Sequence, residues 1–281
     1  MLFISIPYKI IKICITGDYV PGYDPLRLSE IVEKQVVRRE GSRVLRRYYR
    51  FRRDRWYGGI VTGDVVGCNL RCGFCWAWRF TWIGYDKGVM LSAEEAAGRL
   101  IGLARRTGTR QTRLSGGEPT IGFDHLVKVI EEVTGQGLRF VLETNGLLLG
   151  AREEYAEKLS SFHGSGIEVR VSIKGTSPEE YWLLTRARPG TWWLQLRALE
   201  NLVRHGLEPG EEVYPAVMLS FTDEKGVKRI KRLLASIHPV LARSIDPEYV
   251  FLYSHVEELL RKTGLRPRIA YRPGEIPPEL V

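Results

Sequence analysis

Three observations predict an α/β fold built on a parallel sheet, either a partial (β/α)6 barrel or an open doubly wound sheet. Six β-rich runs are each followed by helix-like sequence, the pattern that right-handed strand–helix–strand crossovers produce. The cysteine-rich and glycine-rich segments fall just after such runs, at the strand ends where parallel α/β folds place their ligands. At 281 residues, 44% hydrophobic and 27% charged, the chain can bury one large core, as an ordinary soluble globular protein does.

Residues 1–57 precede that pattern and look different. The first nineteen, MLFISIPYKIIKICITGDY, are apolar but broken by Lys9 and Lys12 and lack a small-residue cleavage pattern. A strand or two is expected there rather than a signal peptide, with Cys14 as a small buried hydrophobe. Ten basic residues crowd 34–55, with Tyr48, Tyr49, Phe51, Trp56 and Tyr57 among or just after them. Glu40-Gly41-Ser42 reads as a turn between two β-rich runs, 34–39 and 43–52. This β-rich basic extension has two uses: a ribbon that grips RNA or an acidic peptide, or a hairpin beside the barrel whose arginines are solvated or paired. The second is preferred.

Residues 58–264 carry the repeated strand–helix pattern. Gly58–Val66 is a strand leading into the cysteine loop. Ser92 and Glu95 form a capping box that opens a helix, and Gly108 lies just past its end. A strand at Gln111–Leu114 runs into Ser115-Gly116-Gly117-Glu118-Pro119, followed by a helix from about Asp124 to Thr134. Strand Leu138–Glu143 ends at Thr144-Asn145-Gly146 before a helix over 151–162. Strand Ile167–Ile173 ends at Lys174-Gly175, and Ser177-Pro178-Glu179-Glu180 starts the next helix. A helical stretch at Thr191–Arg204 precedes strand Glu212–Phe221. Thr222 is the candidate cap of the helix-like Asp223–Ile237, although Lys225 cannot complete a capping box. Tyr249–Tyr253 is the last strand, a helix runs from about His255 to Thr263, and residues 265–281 form an extended tail.

Function concentrates in Gly67–Trp78, GCNLRCGFCWAW, where Cys68, Cys72 and Cys75 stand in the spacing C-x3-C-x2-C. Structural zinc takes four protein ligands, usually as two separated pairs, and no second pair is present. A disulfide framework belongs to small secreted domains with an even cysteine count. A [4Fe–4S] cluster has four irons with normally one thiolate each, so three cysteines leave one iron open. Thiolates kept for a metal imply a reducing, cytoplasmic compartment. The charge of +9 favours acidic partners without identifying one. Abundant charge and scarce amides match thermophilic proteins. No apolar run approaches membrane-span length. His-Glu-x-x-His, Walker and G-x-G-x-x-G motifs are absent.

The C-x3-C-x2-C spacing, with Phe74 before the last cysteine, resembles the radical S-adenosylmethionine (SAM) superfamily. The resemblance covers residues 57–253 and implies a partial (β/α)6 barrel with a short β-rich N-terminal extension. It implies Cys68, Cys72 and Cys75 as catalytic cluster ligands, with SAM chelating the open iron and cleaved to a 5′-deoxyadenosyl radical. Gly116, Gly117 and Glu118 match the family's GGE motif, which engages the SAM amino group, and Phe74 is expected beside the adenine. Glu143-Thr144-Asn145-Gly146 and Ser172-Ile173-Lys174 resemble segments of the branch that activates pyruvate formate-lyase and other glycyl-radical enzymes. Asn145, Ser172 and Lys174 are its implied SAM contacts, with Ser172 replacing the usual aspartate. A flavodoxin- or ferredoxin-like one-electron donor is implied, acting with an unspecified protein or small-molecule substrate. A wyosine-type tRNA-modifying enzyme and a non-catalytic Fe–S or SAM sensor are the alternatives. Trp76 and Trp78 are expected to help bury the cluster, and Trp192 and Trp193 to belong to the core.

Overall fold

In the computed structural model, residues 22–278 are described; the first expected strands and Cys14 lie outside them. Six parallel strands form the centre: β3 (Ile60–Val65), β5 (Gln111–Gly116), β6 (Arg139–Thr144), β7 (Ile167–Ile173), β8 (Val213–Met218) and β9 (Asp246–Glu248). They pair strictly in chain order. A doubly wound sheet reverses its strand order at a switch point; the monotonic order here makes a singly wound partial barrel.

The other edge of β3 carries antiparallel β2 (Arg43–Asp54), which pairs with β1 (Val37–Glu40) and with β4 (Val89–Leu91). The N-terminal hairpin is therefore continuous with the barrel sheet. It begins later than expected, because residues 25–36 are helix α1 (Pro25–Val36), capped by the Asp24 carboxylate. Asp24-Pro25 is a cap followed by proline in the first turn, a helix start that outweighs the local β propensity at Val36.

Outside the barrel run α3 (Ala93–Thr107), α4 (Phe123–Thr134), α5 (Leu147–Ala151), α6 (Glu153–Ser160), α7 (Pro178–Thr185), α8 (Trp193–Arg204) and α9 (Glu224–Ile237). The Ser92/Glu95 capping box is present, and α3 ends on Gly108 in the left-handed conformation. The helix expected over 151–162 is α6, and a further short helix, α5, precedes it, the two meeting at Arg152. Asp223, not Thr222, caps α9, accepting from the Gly226 N–H at 2.8 Å. Thr222 instead meets the Thr176 hydroxyl. Alternate strand residues Leu114, Leu142, Val169 and Val171 pack with Leu126, Ile130 and Leu199 in one buried core. Trp192 is fully buried in it, whereas Trp193 is partly exposed.

The last strand of the barrel sheet is β9, which starts three residues earlier than expected. Val250–Phe251 instead forms β10, which pairs with β11 (Ala270–Tyr271) inside the expected tail. Between them lies α10 (Ser254–Thr263). This C-terminal segment spans the open side of the barrel: Phe251 stacks on Trp56, and Thr263 Oγ1 donates to the Gly73 carbonyl. Among the described residues no helix is long and apolar enough to cross a membrane.

Candidate active site

The cysteine loop leaves the top of β3 and is fixed by its own backbone. Arg71, inside C-x3-C, donates from Nη1 to the carbonyls of Cys68 (2.7 Å), Leu70 and Thr81. Cys75 N–H donates to the Cys72 carbonyl at 3.0 Å, and the short helix α2 (Trp78–Thr81) follows. Cys68 Sγ accepts from the Leu70 N–H at 3.3 Å and lies 3.7 Å from Asn145 Nδ2. Cys75 Sγ lies 3.7 Å from Thr81 Oγ1.

All three thiols are free. Burial pushes Cys68 up to about 12, with Glu118 adding to the shift. Burial likewise raises Cys72 and Cys75, while Lys174 pulls both down. Such thiols stay protonated until a cation replaces their protons. Among the described residues no three His, Cys, Asp or Glu side chains are close enough to share one metal ion. A four-iron cluster asks for something else, one sulfur per iron, set further apart. The donor set, one buried and two half-buried cysteines with Lys174 near two of them, fits that group.

The GGE loop is joined to the cysteine loop through backbone. Glu118 N–H donates to the Gly67 carbonyl at 2.8 Å, and a Cβ on Gly117 would sit 2.2 Å from that oxygen. Gly116 has φ +84, and a Cβ there would press on the Tyr49 hydroxyl. Beside it Tyr49 Oη and Asp64 Oδ1 are buried with no hydrogen-bond partner among the described residues. The Glu118 carboxylate, expected to meet the SAM amine, is already engaged: it accepts from Thr120 N–H and Oγ1, Thr144 Oγ1 and Asn145 N–H. One acceptor position on Oε2 stays open. Asn145 is buried as well, and its amide donates to Asn69 Oδ1 at 2.7 Å beside Cys68.

Under this junction lies a residue that motif reading missed. Arg46 is fully buried, with no carboxylate bonded to it among the described residues; it donates to the carbonyls of Ile121, Val36, Arg47 and Glu118. Burial lowers its pKa to about 10, so it stays charged at neutral pH. Its signal was hidden because it alternates with surface arginines in one strand.

Across the mouth Ser172 Oγ and Lys174 Nζ both donate to Glu248, at 2.7 and 2.6 Å. Glu248, at the end of β9, also binds Arg170. Burial opposes its ionisation, but Lys174 and Arg170 outweigh it and lower its pKa. The late placement of the sixth strand concealed Glu248 in the sequence. Deeper in the lumen Glu143 binds Arg113, Ser115 and Tyr57; burial resists, yet Arg113 and Arg170 hold it at about 2. The inner barrel face is thus polar and charged rather than a second apolar core.

Phe74 is buried and its ring lies 5.5 Å from Phe221, at 42°. Trp76 is 37% exposed and does not cover the loop as expected. His255 donates from Nε2 to the Trp76 carbonyl, a structural bond. The basic ribbon is largely spent on the fold: Arg38, Arg39, Arg50 and Arg52 pair with carboxylates, and Arg46 and Arg47 hold carbonyls.

A partial (β/α)6 barrel with three thiols at its mouth and a glycine loop locked against them defines the class. Residues 64–234, more than half of the chain, match the model of the Radical SAM superfamily. The chain belongs to that superfamily and is an enzyme whose cofactors are a [4Fe–4S] cluster and SAM. It is 31% identical over 144 residues to a probable GTP 3′,8-cyclase of Methanococcus maripaludis, covering 50% of this chain and 44% of the relative. It is 33% identical over 147 residues to a 7-carboxy-7-deazaguanine synthase of Hyperthermus butylicus, covering 51% and 59%. The chain thus spans about half the length of the curated relatives it matches. Among solved structures, a spore photoproduct lyase mutant with bound AdoMet and dinucleoside spore photoproduct has TM-score 0.54 at 15% identity, covering 90% of this chain and 73% of that one. That likeness concerns the fold alone.

Proposed function

We propose that Cys68, Cys72 and Cys75 ligate the cluster and that the chain abstracts hydrogen from a purine-type substrate at the barrel mouth. The observation that carries the cofactor assignment is the Gly67–Glu118 junction, which fastens the GGE loop to the cysteine loop. When bound, the cluster and SAM supply a 5′-deoxyadenosyl radical after one-electron reduction. The chain's own residues do the rest. Gly116 and Gly117 let the GGE loop pack against Tyr49 and the cysteine-loop backbone, and Glu118 would offer its open acceptor position to the SAM amine. Ser172 and Lys174, oriented by Glu248, would meet the polar groups of SAM. Phe74, packed near Phe221, would lie beside its adenine. The ion-paired lumen orients the substrate and keeps quenching groups fixed.

The purine-type substrate is supported by the cyclase and synthase relatives, whose names denote GTP and deazaguanine chemistry. The activating-enzyme resemblance rested on Glu143–Gly146 and Ser172–Lys174. Here Glu143 binds Arg113, Asn145 braces the cysteine loop and Ser172 and Lys174 hold Glu248. These are duties local to the cofactor site, and they do not call for a glycyl-radical protein. The spent arginines of the ribbon likewise weaken the tRNA reading. A reducing cytoplasm and an external one-electron donor complete the proposal.

The test is 5′-deoxyadenosine production by anaerobically reconstituted protein with guanine nucleotides and related purines added in turn. Production should rise severalfold with one of them, together with a modified purine. Stimulation by a glycyl-radical protein or tRNA instead would overturn the substrate class, and a loaded cluster that never cleaves SAM would favour a sensor.

A further inference from the structure

We propose that the face beside Gly73, formed by Trp78, Arg79, Trp182, Leu183, Arg186 and Lys262, is the docking surface for an acidic one-electron carrier protein. The inference rests on Cys68, Cys72 and Cys75 being the cluster ligands. Gly73 lies between two of them, and the ends of two helices meet it. Its N–H donates to the Leu184 carbonyl at 2.8 Å, and its carbonyl accepts from Thr263 Oγ1 at 3.1 Å. Residues at the exposed side of these ends therefore stand one layer from the cluster site, the short path an electron needs.

Composition gives the partner's chemistry. Leu183, one residue from the Leu184 carbonyl that binds Gly73, is 48% exposed. Arg79 and Lys262 lie over the Trp78 ring at 5.4 and 5.5 Å, and Arg186 lies over Trp182 at 4.5 Å. Cations held on rings keep a fixed position. Glu258 alone offsets Arg79 and Lys262, and among the described residues Arg186 has no carboxylate within 4.0 Å. Arg261 and Arg266, both exposed, add to the positive rim. An apolar and aromatic centre inside a charged rim is the anatomy of a protein interface, and a small one suits a brief redox encounter. A cationic rim selects and steers an acidic partner.

Arg186 ends α7 in the left-handed conformation, φ +60, where glycine is the usual residue. In the transfer, one electron would leave the anionic flavin hydroquinone, which becomes the neutral semiquinone with no proton released. The cluster, held by the three cysteines, would take up that electron.

The experiment measures binding of purified flavodoxin to anaerobically reconstituted protein by titration calorimetry across a salt series. The variants are Arg79→Glu/Arg186→Glu/Lys262→Glu and, as a milder set, the same positions changed to Gln. The control, Arg105→Glu/Arg106→Glu/Arg110→Glu, makes the same charge change at the opposite end of the barrel. Affinity should fall at least about tenfold in the Glu set and less in the Gln set, with a flatter salt dependence. The control should keep wild-type affinity. Reduction by flavodoxin should slow, while reduction by dithionite stays unchanged. Equal affinity in all proteins, or equal loss in the control, would overturn the docking face. If dithionite reduces no cluster even in the wild type, the ligand assignment fails instead, and the calorimetry still judges the surface.

Discussion

His125 shows how a single buried side chain sets a pH limit. Its Nδ1 faces the Val44 carbonyl, which only accepts, so Nδ1 carries the proton and Nε2 accepts from the Tyr48 hydroxyl. Burial lowers its pKa from 6.5 to about 4. As pH falls, the unfolded chain therefore takes up a proton first. This stabilisation is complete above pH 6.5 and lost between 6.5 and 4, a contribution of about 3 kcal/mol. Urea midpoints between pH 7 and 4 should fall more steeply in the wild type than in His125→Asn; parallel profiles would refute the assignment. Asn145 acts at the same scale. Asn145→Ala leaves Asn69 Oδ1 without its 2.7 Å partner, at about 1–3 kcal/mol. It also removes the N–H beside Cys68 Sγ. Hydrogen bonds to cluster sulfurs raise the potential, so potentiometric titration of the loaded variant should give a more negative value. An unchanged potential would leave Asn145 a purely structural role.

Among the elements, the decisive joint is between two loops on neighbouring strands. In Gly117→Ala the new methyl meets the Gly67 carbonyl at 2.2 Å, and backbone on both sides has to move. SAM affinity should drop at least about tenfold while the circular dichroism spectrum stays native; wild-type affinity would show that the junction does not shape the SAM site. Ser92→Ala probes fold rather than site, and should cost about 1 kcal/mol through lost capping of α3 without altering SAM binding. Legibility also differed by element. The capping box, Gly108 and strand Ile167–Ile173 were readable because each is set by local chemistry. Helix α1 was hidden behind the basic run, and the break at Arg152 has no local signature. Strand β9 is three residues of Asp-Pro-Glu. It is a strand because β8 offers it hydrogen bonds, not through propensity.

At the scale of the whole molecule, barrel topology and cofactor class were legible because motifs recur at successive strand ends. The roles of particular residues were not. Glu118, Asn145 and Lys174 were expected to turn towards SAM, and much of their bonding capacity holds neighbouring protein groups. Glu248 escaped notice because its partners are 74 or more residues away, and Arg46 because the carbonyls of Glu118 and Ile121 that it holds lie 72 and 75 residues away. Long-range pairing of this kind leaves no spacing rule in a sequence. The central claim is that three sulfurs hold a cluster with one iron open to SAM. Its most direct measurement is iron and sulfide content, with electron paramagnetic resonance after reduction with and without SAM, on oxygen-free wild type and Cys72→Ala. The wild type should carry about four irons per chain, give a signal altered by SAM and release 5′-deoxyadenosine, all lost in the variant. Zinc in place of iron, or full SAM cleavage by Cys72→Ala, would contradict it.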